Sequence, residues 1–241
     1  MTPVRNLLLA TLPGEDLARI RVHMESVWLE QRESLFQPDG PIRCVYFPET
    51  AVISLASTLS AGAAIEVGTA GSEGMVGLTV FLADGLSPLT ALAQIPGVVG
   101  RMSVETFTQL ASAPSAFHQT LLRYAEAFLR QVAQTAACNA THLIEERCAR
   151  WLLTTHDRVE GATFPLTHEF LALMLGVRRA GVTTVMNDFQ DAGMVQCSRG
   201  AVQVLDRAKL EGASCECYGA VRAHFERLLP RPKVADTLLE A

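Results

Sequence analysis

The stretch from Thr167 to Phe189 reads THEFLALMLGVRRAGVTTVMNDF and predicts two short helices joined by a glycine turn. Thr167 is a favourable N-cap, and Glu169 places a carboxylate in the first helical turn. Gly176 suits the left-handed residue that ends a helix. Three- and four-residue spacing then gives the second helix a buried face of Val182, Val185, Met186 and Phe189. Two short helices around such a turn have the geometry of a helix-turn-helix.

The other face of the second helix carries side chains suited to DNA. Arg178 and Arg179 stand at its N-terminus, where planar guanidinium groups can bind guanine edges or phosphates. Downstream, residues 194–197 and 201–205 flank a glycine turn and predict a β-hairpin with Arg199 at its tip, within reach of a phosphate. The predicted DNA-contacting residues are Thr167, Arg178, Arg179, Gly181, Thr183, Thr184, Asn187 and Arg199. An ordinary helical hairpin with a solvated face is the alternative, but the ordered combination of cap, turn and arginines favours DNA binding.

The composition gives a globular chain with a mildly acidic balance. Its 241 residues are 49% hydrophobic and 19% charged, with a net charge of −5, which excludes a chain that is disordered throughout and argues against a basic nucleic-acid coat. The acidity is uneven, because residues 1–144 carry −4, residues 145–210 carry zero and residues 211–241 carry −1. The near-neutral segment around the predicted helix-turn-helix therefore predicts modest non-specific DNA affinity and a strong dependence on dimerisation.

The sequence predicts a cytoplasmic protein. The apolar run after Arg5 is short and soon acidic, unlike a secretory signal, and no uncharged stretch is long enough for a transmembrane helix. The six cysteines have no disulfide-framework spacing, so we expect reduced, buried thiols.

Residues 1–113 predict an antiparallel β-roll or barrel after a short helix that begins near Pro13. Beyond Gly40, short β-branched runs such as Val52–Leu55 alternate with glycine and proline. No helices of useful length alternate with these runs, which argues against a doubly wound α/β domain.

Residues 114–143 predict one long helix with two apolar stripes. One stripe consists of Leu122, Ala125, Leu129, Val132 and Ala136, and the other of Leu121, Tyr124 and Phe128. A helix with two apolar stripes needs two partners, which we interpret as its own domain and a second subunit. A core helix within a monomer is the alternative.

Several segments in order along the chain resemble the Crp/Fnr transcription regulators. Residues 71–78 resemble the family's glycine-rich turn, and residues 145–153 resemble the start of its DNA-binding domain. The predicted winged helix contributes residues 166–179, 193–195, 199–200 and 205–206. The resemblance implies an α+β architecture with a cyclic-nucleotide-binding-like antiparallel β-roll at 1–113 and a dimerisation helix at 114–143. A winged helix-turn-helix at 144–212 and a C-terminal helix and tail at 213–241 complete it. It also implies a homodimeric transcription regulator on near-palindromic double-stranded DNA, with RNA polymerase as a further partner.

The chain departs from the family's pattern where members that bind cyclic AMP hold their ligand. The resemblance places the effector pocket at Glu73, Met75, Val76, Leu89, Thr90 and Val132. Met75 stands where those members have a ribose-binding Glu, Leu89-Thr90 stands where they have Arg-Ser, and Val132 replaces a polar base contact. No Lys or Arg lies between Arg43 and Arg101 to bind a cyclic phosphate. We therefore expect an unknown effector or none, and a pocket lined largely by apolar groups.

Other departures concern the operator and cofactors. Ala180 and Thr184 replace a Glu and an Arg that many members carry on the second helix, so the operator sequence does not carry over. The N-terminal cysteine cluster of the Fnr branch is missing, so no iron–sulfur cofactor is expected.

The sequence leaves three other functions to consider: a metal or thiol sensor, a binding scaffold and an enzyme. A metal or thiol sensor is suggested by Cys215 and Cys217, with Cys197 and His224 nearby in sequence. Two cysteines alone do not make a zinc site. The preferred interpretation is therefore packing of a helix at Tyr218–Leu229. Cys138 and His142, four residues apart on one helix face, are likewise interpreted as packing. A ligand- or partner-binding scaffold with decayed DNA binding is the main alternative function. No nucleophile–base pair or nucleotide-binding motif predicts an enzyme.

Overall fold

A computed structural model describes residues 4–59 and 64–229 of the chain. The predicted tail from Pro230 lies outside these residues. The helices are α1 Leu7–Ala10, α2 Gly14–Arg21, α3 Thr79–Leu82, α4 Val104–Ser112, α5 Ala116–Thr141, α6 Ile144–His156, α7 His168–Leu175, α8 Arg179–Asp191, α9 Arg207–Ala213 and α10 Cys217–Leu228. The strands are β1 Glu25–Leu29, β2 Ser34–Phe36, β3 Cys44–Pro48, β4 Val52–Thr58, β5 Ala64–Ala70, β6 Thr90–Ile95, β7 Gly97–Ser103, β8 Thr163–Pro165, β9 Val195–Ser198 and β10 Ala201–Val204.

The first seven strands form the predicted antiparallel β-roll. One sheet has the order β1-β7-β3 and the other the order β2-β6-β4-β5, and every pairing is antiparallel. Apolar residues of both sheets, such as Leu29, Ile53, Ala91 and Val99, are buried together in one core. The expected α+β fold, with an antiparallel roll, a long helix and a winged helix-turn-helix, is confirmed.

The long helix α5 uses its two apolar stripes differently. Ser115 caps it by accepting a hydrogen bond from the His118 amide. Leu121 and Tyr124 are buried against the roll, where the Tyr124 hydroxyl donates to the Met75 carbonyl at 2.8 Å. The fit is close at Gly74, because a Cβ there would lie 2.6 Å from the Tyr124 ring. One face of α5 is thus committed to its own domain.

A winged-helix unit, comprising α6 to α9 and strands β8 to β10, has its own core. Its sheet has the order β8-β10-β9, and its helices bury residues such as Trp151, Leu171, Met186 and Phe189. Pairing of β8 with β10 extends the predicted hairpin to three strands.

The roll and the winged-helix unit are packed against each other. Val52 and Ile95 of the roll belong to the buried core of the winged-helix unit. Gln94 on β6 also donates to the Thr155 hydroxyl of α6 at 2.7 Å. The roll therefore helps to hold the helices that carry the candidate site. Among the helices that the structure describes, none combines the length and apolar character needed to cross a membrane.

Candidate nucleic-acid interface

Helices α7 and α8 form a helix-turn-helix with the predicted buried face. Thr167 caps α7 by accepting from the Phe170 amide at 3.2 Å, and Gly176 ends it with φ +64°, where only glycine is comfortable. The predicted inner residues of α8 are all buried: Val182, Val185, Met186 and Phe189. Their burial fixes the opposite face of α8 toward the outside.

Two arginines occupy the start of α8, here termed the recognition helix. Arg178 is its N-cap residue, Arg179 is its first residue, and both are exposed. Arg179 forms an ion pair with Glu169 of α7 at 2.6 Å, but both side chains are more than half exposed. Exposed pairs contribute roughly 0–1 kcal/mol, so a phosphate or a guanine can displace Glu169 at little cost.

The hydroxyl side chains predicted to contact DNA make hydrogen bonds within the protein. Thr183 lies 3.1 Å from Nδ1 of His168, whose pKa is lowered by burial and then by the nearby Arg179, so the imidazole is neutral near pH 7. The Thr184 hydroxyl donates to the Ala180 carbonyl at 3.2 Å, although the residue is exposed. These threonines stabilise the recognition helix and its packing in addition to any contact with DNA.

The remaining predicted residues divide between the surface and the interior. Asn187 is exposed on the recognition helix, and Arg199 is exposed at the tip of the β9–β10 hairpin, termed the wing. Gly200 closes that tip with φ +77°. Gly181 instead faces α6, because a Cβ there would lie 3.1 Å from the Ile144 side chain. Gly181 therefore serves helix packing, whereas Asn187 and Arg199 remain available on the outside.

The β-roll contacts the first helix of the helix-turn-helix directly. Arg32 donates to the Thr167 hydroxyl at 3.2 Å, and its guanidinium lies 5.6 Å from the centre of the Phe170 ring. Across the same boundary, a Cβ on Gly176 would lie 2.9 Å from Ile65 of β5. The roll thus contacts both the start and the end of α7.

The residues that the resemblance assigned to an effector pocket have different surroundings in the described part of the chain. Met75 and Val76 are buried in separate apolar cores of the roll. Glu73 is engaged by the Arg158 guanidinium, whose Nε and Nη2 donate to Glu73 Oε1 at 2.9 and 2.8 Å. Leu89 and Thr90 lie at the start of β6 and Val132 on α5, all half-buried. The carboxylate at Glu73 therefore joins the roll to the winged-helix unit.

A small cavity lies between β5, α5, α6 and α10, and several of its lining side chains are polar. They include Glu66, Gln131, Thr135 and Arg150. The expectation of an apolar effector pocket in the roll stays a prediction. Burial raises the pKa of Glu66 to about 7. The Ser54 hydroxyl lies 2.6 Å from Glu66 Oε2 and 2.8 Å from Gln94 Oε1. The hydroxyl has one proton, which it can donate to one of these oxygens. A protonated Glu66 would donate to the Ser54 hydroxyl and leave that proton for Gln94. Burial thus favours the protonated form of this carboxyl group.

Sequence reasoning missed the residues that connect the two units: Arg32, Glu66, Gln94, Thr155 and Arg158. Arg158 is separated from Glu73 by 85 residues, and Gln94 from Thr155 by 61. Periodicity reports neighbours three or four residues apart, so it carries no signal for such pairs. The available sequence signal was that the polar residues Glu66 and Gln94 stand within otherwise apolar strand patterns.

Comparisons with known proteins agree with this geometry. A family profile described as the Crp-like helix-turn-helix domain matches residues 146–213. The fold of the chain is similar to that of FixK2 from Bradyrhizobium japonicum, with a TM-score of 0.68 and 17% identity over 80% of this chain and 98% of that one. It is also similar to TTHB099, a CRP-family transcriptional regulator from Thermus thermophilus, with a TM-score of 0.66 and 21% identity over 80% of this chain and 100% of that one.

A third solved structure extends the range of signals represented among proteins of this fold. The c-di-GMP-responsive global regulator CLP from Xanthomonas campestris has a TM-score of 0.62 and 17% identity, over 80% of this chain and 99% of that one. No curated protein sequence matches the chain. Residues 146–213 therefore contain a Crp-like helix-turn-helix domain, and the chain shares its overall fold with these solved structures.

Proposed function

We propose that the protein regulates transcription as a homodimer that reads a near-palindromic DNA site with its two recognition helices. The observation that carries this proposal is the exposed face of α8, which presents Arg178 and Arg179 at its N-terminus beside the arginine-tipped wing. An α-helix fits the major groove, and arginine is the side chain best suited to guanine and phosphate. Two copies related by a twofold axis require two half-sites related in the same way.

The exposed stripe of α5 supports the dimer. Leu129 and Leu122 are 68% and 44% exposed, and Ala125 and Val132 lie half-buried on the same side. The other stripe is covered by the roll, so this one is available to a second α5. An antiparallel roll at 1–113, a dimerisation helix at 114–143, a winged-helix unit at 144–212 and a C-terminal segment at 213–241 are the functional divisions that follow.

We assign the direct DNA contacts to Arg178, Arg179, Thr184, Asn187 and Arg199. Each is exposed on the recognition helix or on the wing. We assign a supporting role to Thr167, Thr183 and Gly181, because their hydrogen bonds or packing lie within the protein. RNA polymerase is the expected partner on the promoter. We expect the protein in the cytoplasm, where it would encounter DNA and the polymerase.

A salt titration tests DNA binding against the alternative of a scaffold that has lost it. Fluorescence anisotropy would follow binding of the full chain to labelled fragments of its own promoter between low and physiological salt. We expect the logarithm of the binding constant to fall steeply and linearly with the logarithm of salt concentration, with a slope of about −0.9 for each phosphate neutralised. A flat response, or equal affinity for promoter and unrelated DNA, would support the scaffold and contradict the proposal.

A further inference from the structure

Three cysteines and one histidine converge where α5 ends and the segment between α9 and α10 passes over it. Cys138 and His142 come from the last turn of α5 and its C-cap. Cys215 lies in the link between α9 and α10, and Cys217 is the first residue of α10. Their potential ligand atoms all lie within 4.8 Å of one another. We call these four residues the thiol cluster. The sequence predicted only packing for each pair, whereas the structure brings together two pairs that are more than 70 residues apart.

Two separations within the thiol cluster match those of ligands around one tetrahedral ion. With Zn–S bonds of about 2.3 Å and Zn–N bonds of about 2.0 Å, a tetrahedral zinc ion separates its ligand atoms by roughly 3.5–3.8 Å. The Sγ atoms of Cys138 and Cys215 are 3.5 Å apart, and Sγ of Cys217 is 3.6 Å from Nδ1 of His142. A single ion at the centre therefore needs only small side-chain rotations.

The surroundings of His142 and Cys217 orient their ligand atoms. The Nε2 atom of His142 lies 3.2 Å from a carboxylate oxygen of Glu216, which leaves Nδ1 directed at the thiols. A carboxylate behind a histidine is the usual support for a metal-binding imidazole. Gln134 donates its side-chain amide to Cys217 Sγ at 3.0 Å, which fixes the position of that sulfur.

Burial and charge also distinguish the thiol cluster from ordinary packing. Cys138, Cys215 and Cys217 form a small buried cluster of their own, separate from the leucine-, valine- and phenylalanine-rich cores. Arg150 lies close enough to Cys138 to interact with it electrostatically. Arg147 also lies close enough to interact with Cys138 and Cys215. Two buried guanidinium groups therefore lie where three thiolates would concentrate negative charge.

We infer that Cys138, His142, Cys215 and Cys217 form a structural Zn²⁺ site. The Cys₃His donor set is one that zinc prefers, and four protein ligands leave no open position for catalysis. The short ligand separations suit one ion better than a multi-iron cluster, whose ligand sulfurs lie further apart. On binding, each cysteine loses its proton to solvent and donates a thiolate electron pair to the ion, with no change of redox state.

The site would tie the C-terminal helix to the junction between the dimerisation helix and the winged-helix unit. His142 is the C-cap of α5, and Leu143 is the N-cap of α6. Zinc would fix this junction to α10, which also packs along α5 through Phe225 and Tyr124. The inference is independent of DNA recognition, because none of the four ligands lies on the recognition helix or the wing.

Metal analysis of the full-length chain tests the inference. We expect protein purified under reducing conditions to contain about one Zn²⁺ per chain, and the Co²⁺-substituted protein to show the intense visible absorption of tetrahedral thiolate coordination. The variants Cys217→Ser and His142→Ala should lose the metal and the absorption. Cys44→Ser, which changes a partly buried cysteine on β3, is the matched control and should keep both.

The wild-type measurement alone decides the matter if the variants fail to fold. Chain that takes up no stoichiometric Zn²⁺ or Co²⁺ from a chelator-buffered solution would overturn the inference. So would equal metal content in wild type and Cys217→Ser, or a Cys138–Cys215 disulfide found by non-reducing peptide mapping of freshly purified protein. A disulfide would use two of the sulfurs and leave His142 and Cys217 without a role.

Discussion

Replacing Arg158 with leucine removes the cation that joins the winged-helix unit to the glycine-rich turn of the β-roll. The guanidinium donates twice to one oxygen of Glu73 and once to the Thr154 carbonyl, at 2.7 Å. The Arg158 and Glu73 side chains are 10% and 19% exposed. In the variant, that oxygen of Glu73 keeps the Gly71 amide, at 3.2 Å, as a donor. The substitution therefore leaves a largely buried carboxylate without its counter-charge.

The expected loss follows from this burial. Breaking a buried ion pair from one side costs about 3–5 kcal/mol, and partial rehydration of Glu73 places this pair at about 3 kcal/mol. For a chain of this size each kcal/mol lowers Tm by roughly 2–4 °C, so we expect a fall of roughly 6–12 °C. The double variant Glu73→Leu with Arg158→Leu removes both charges and should be more stable than Arg158→Leu alone.

Urea unfolding followed by tryptophan fluorescence measures the effect. Trp151 is buried in the core of the winged-helix unit, so its emission reports the loss of that core, whereas Trp28 is exposed in the folded protein and changes less. A loss below about 1 kcal/mol for Arg158→Leu would place the pair in the class of surface ion pairs and refute the reasoning. A double variant no more stable than the single one would refute the assignment of the loss to the uncompensated carboxylate.

Three other substitutions test the site, the dimer and the buried carboxyl group. Arg179→Ala should weaken promoter binding by about 1–3 kcal/mol per half-site while leaving the dimer intact. Arg19→Ala, in the N-terminal part of the chain, is the control. Unchanged anisotropy titrations for Arg179→Ala would contradict the recognition-helix assignment. Leu129→Glu should convert the dimer to folded monomers in sedimentation velocity, because the side chain is exposed in the protomer. A persistent dimer would exclude this face. The pKa of Glu66 in the folded protein is raised from 4.5 to about 7, so stability should fall as pH rises between these values and level off above them. In Glu66→Gln, the urea midpoint should depend less on pH in that window. Parallel midpoint profiles for both proteins would argue against a protonated Glu66.

Local sequence signals predicted the elements that carry the function. The Thr167 cap, the left-handed Gly176 and the apolar spacing of α8 depend on residues within a few positions of one another. Such signals decide where helices begin and end and which face is buried. The same logic predicted that α5 has two apolar faces, and the structure covers one of them with the roll.

The state of individual site residues needed the tertiary structure. Thr183 and Gly181 lie on a helix whose outer face is polar, yet His168 and Ile144 engage them from other helices. The polar cavity beside Glu66 was also unexpected, because strand patterning reports only which residues are apolar. Packing partners from distant segments decide whether a polar side chain is free to bind a ligand.

The sequence by itself determined the order of the units, the helix-turn-helix and the arginines that face outward, because these follow from local caps, turns and periodicity. Only the tertiary structure decided that Glu73 pairs with Arg158 and that Cys138 and His142 meet Cys215 and Cys217. Those contacts join residues more than 70 positions apart. Their physical basis is the packing of whole helices and sheets, which no local pattern in the chain encodes.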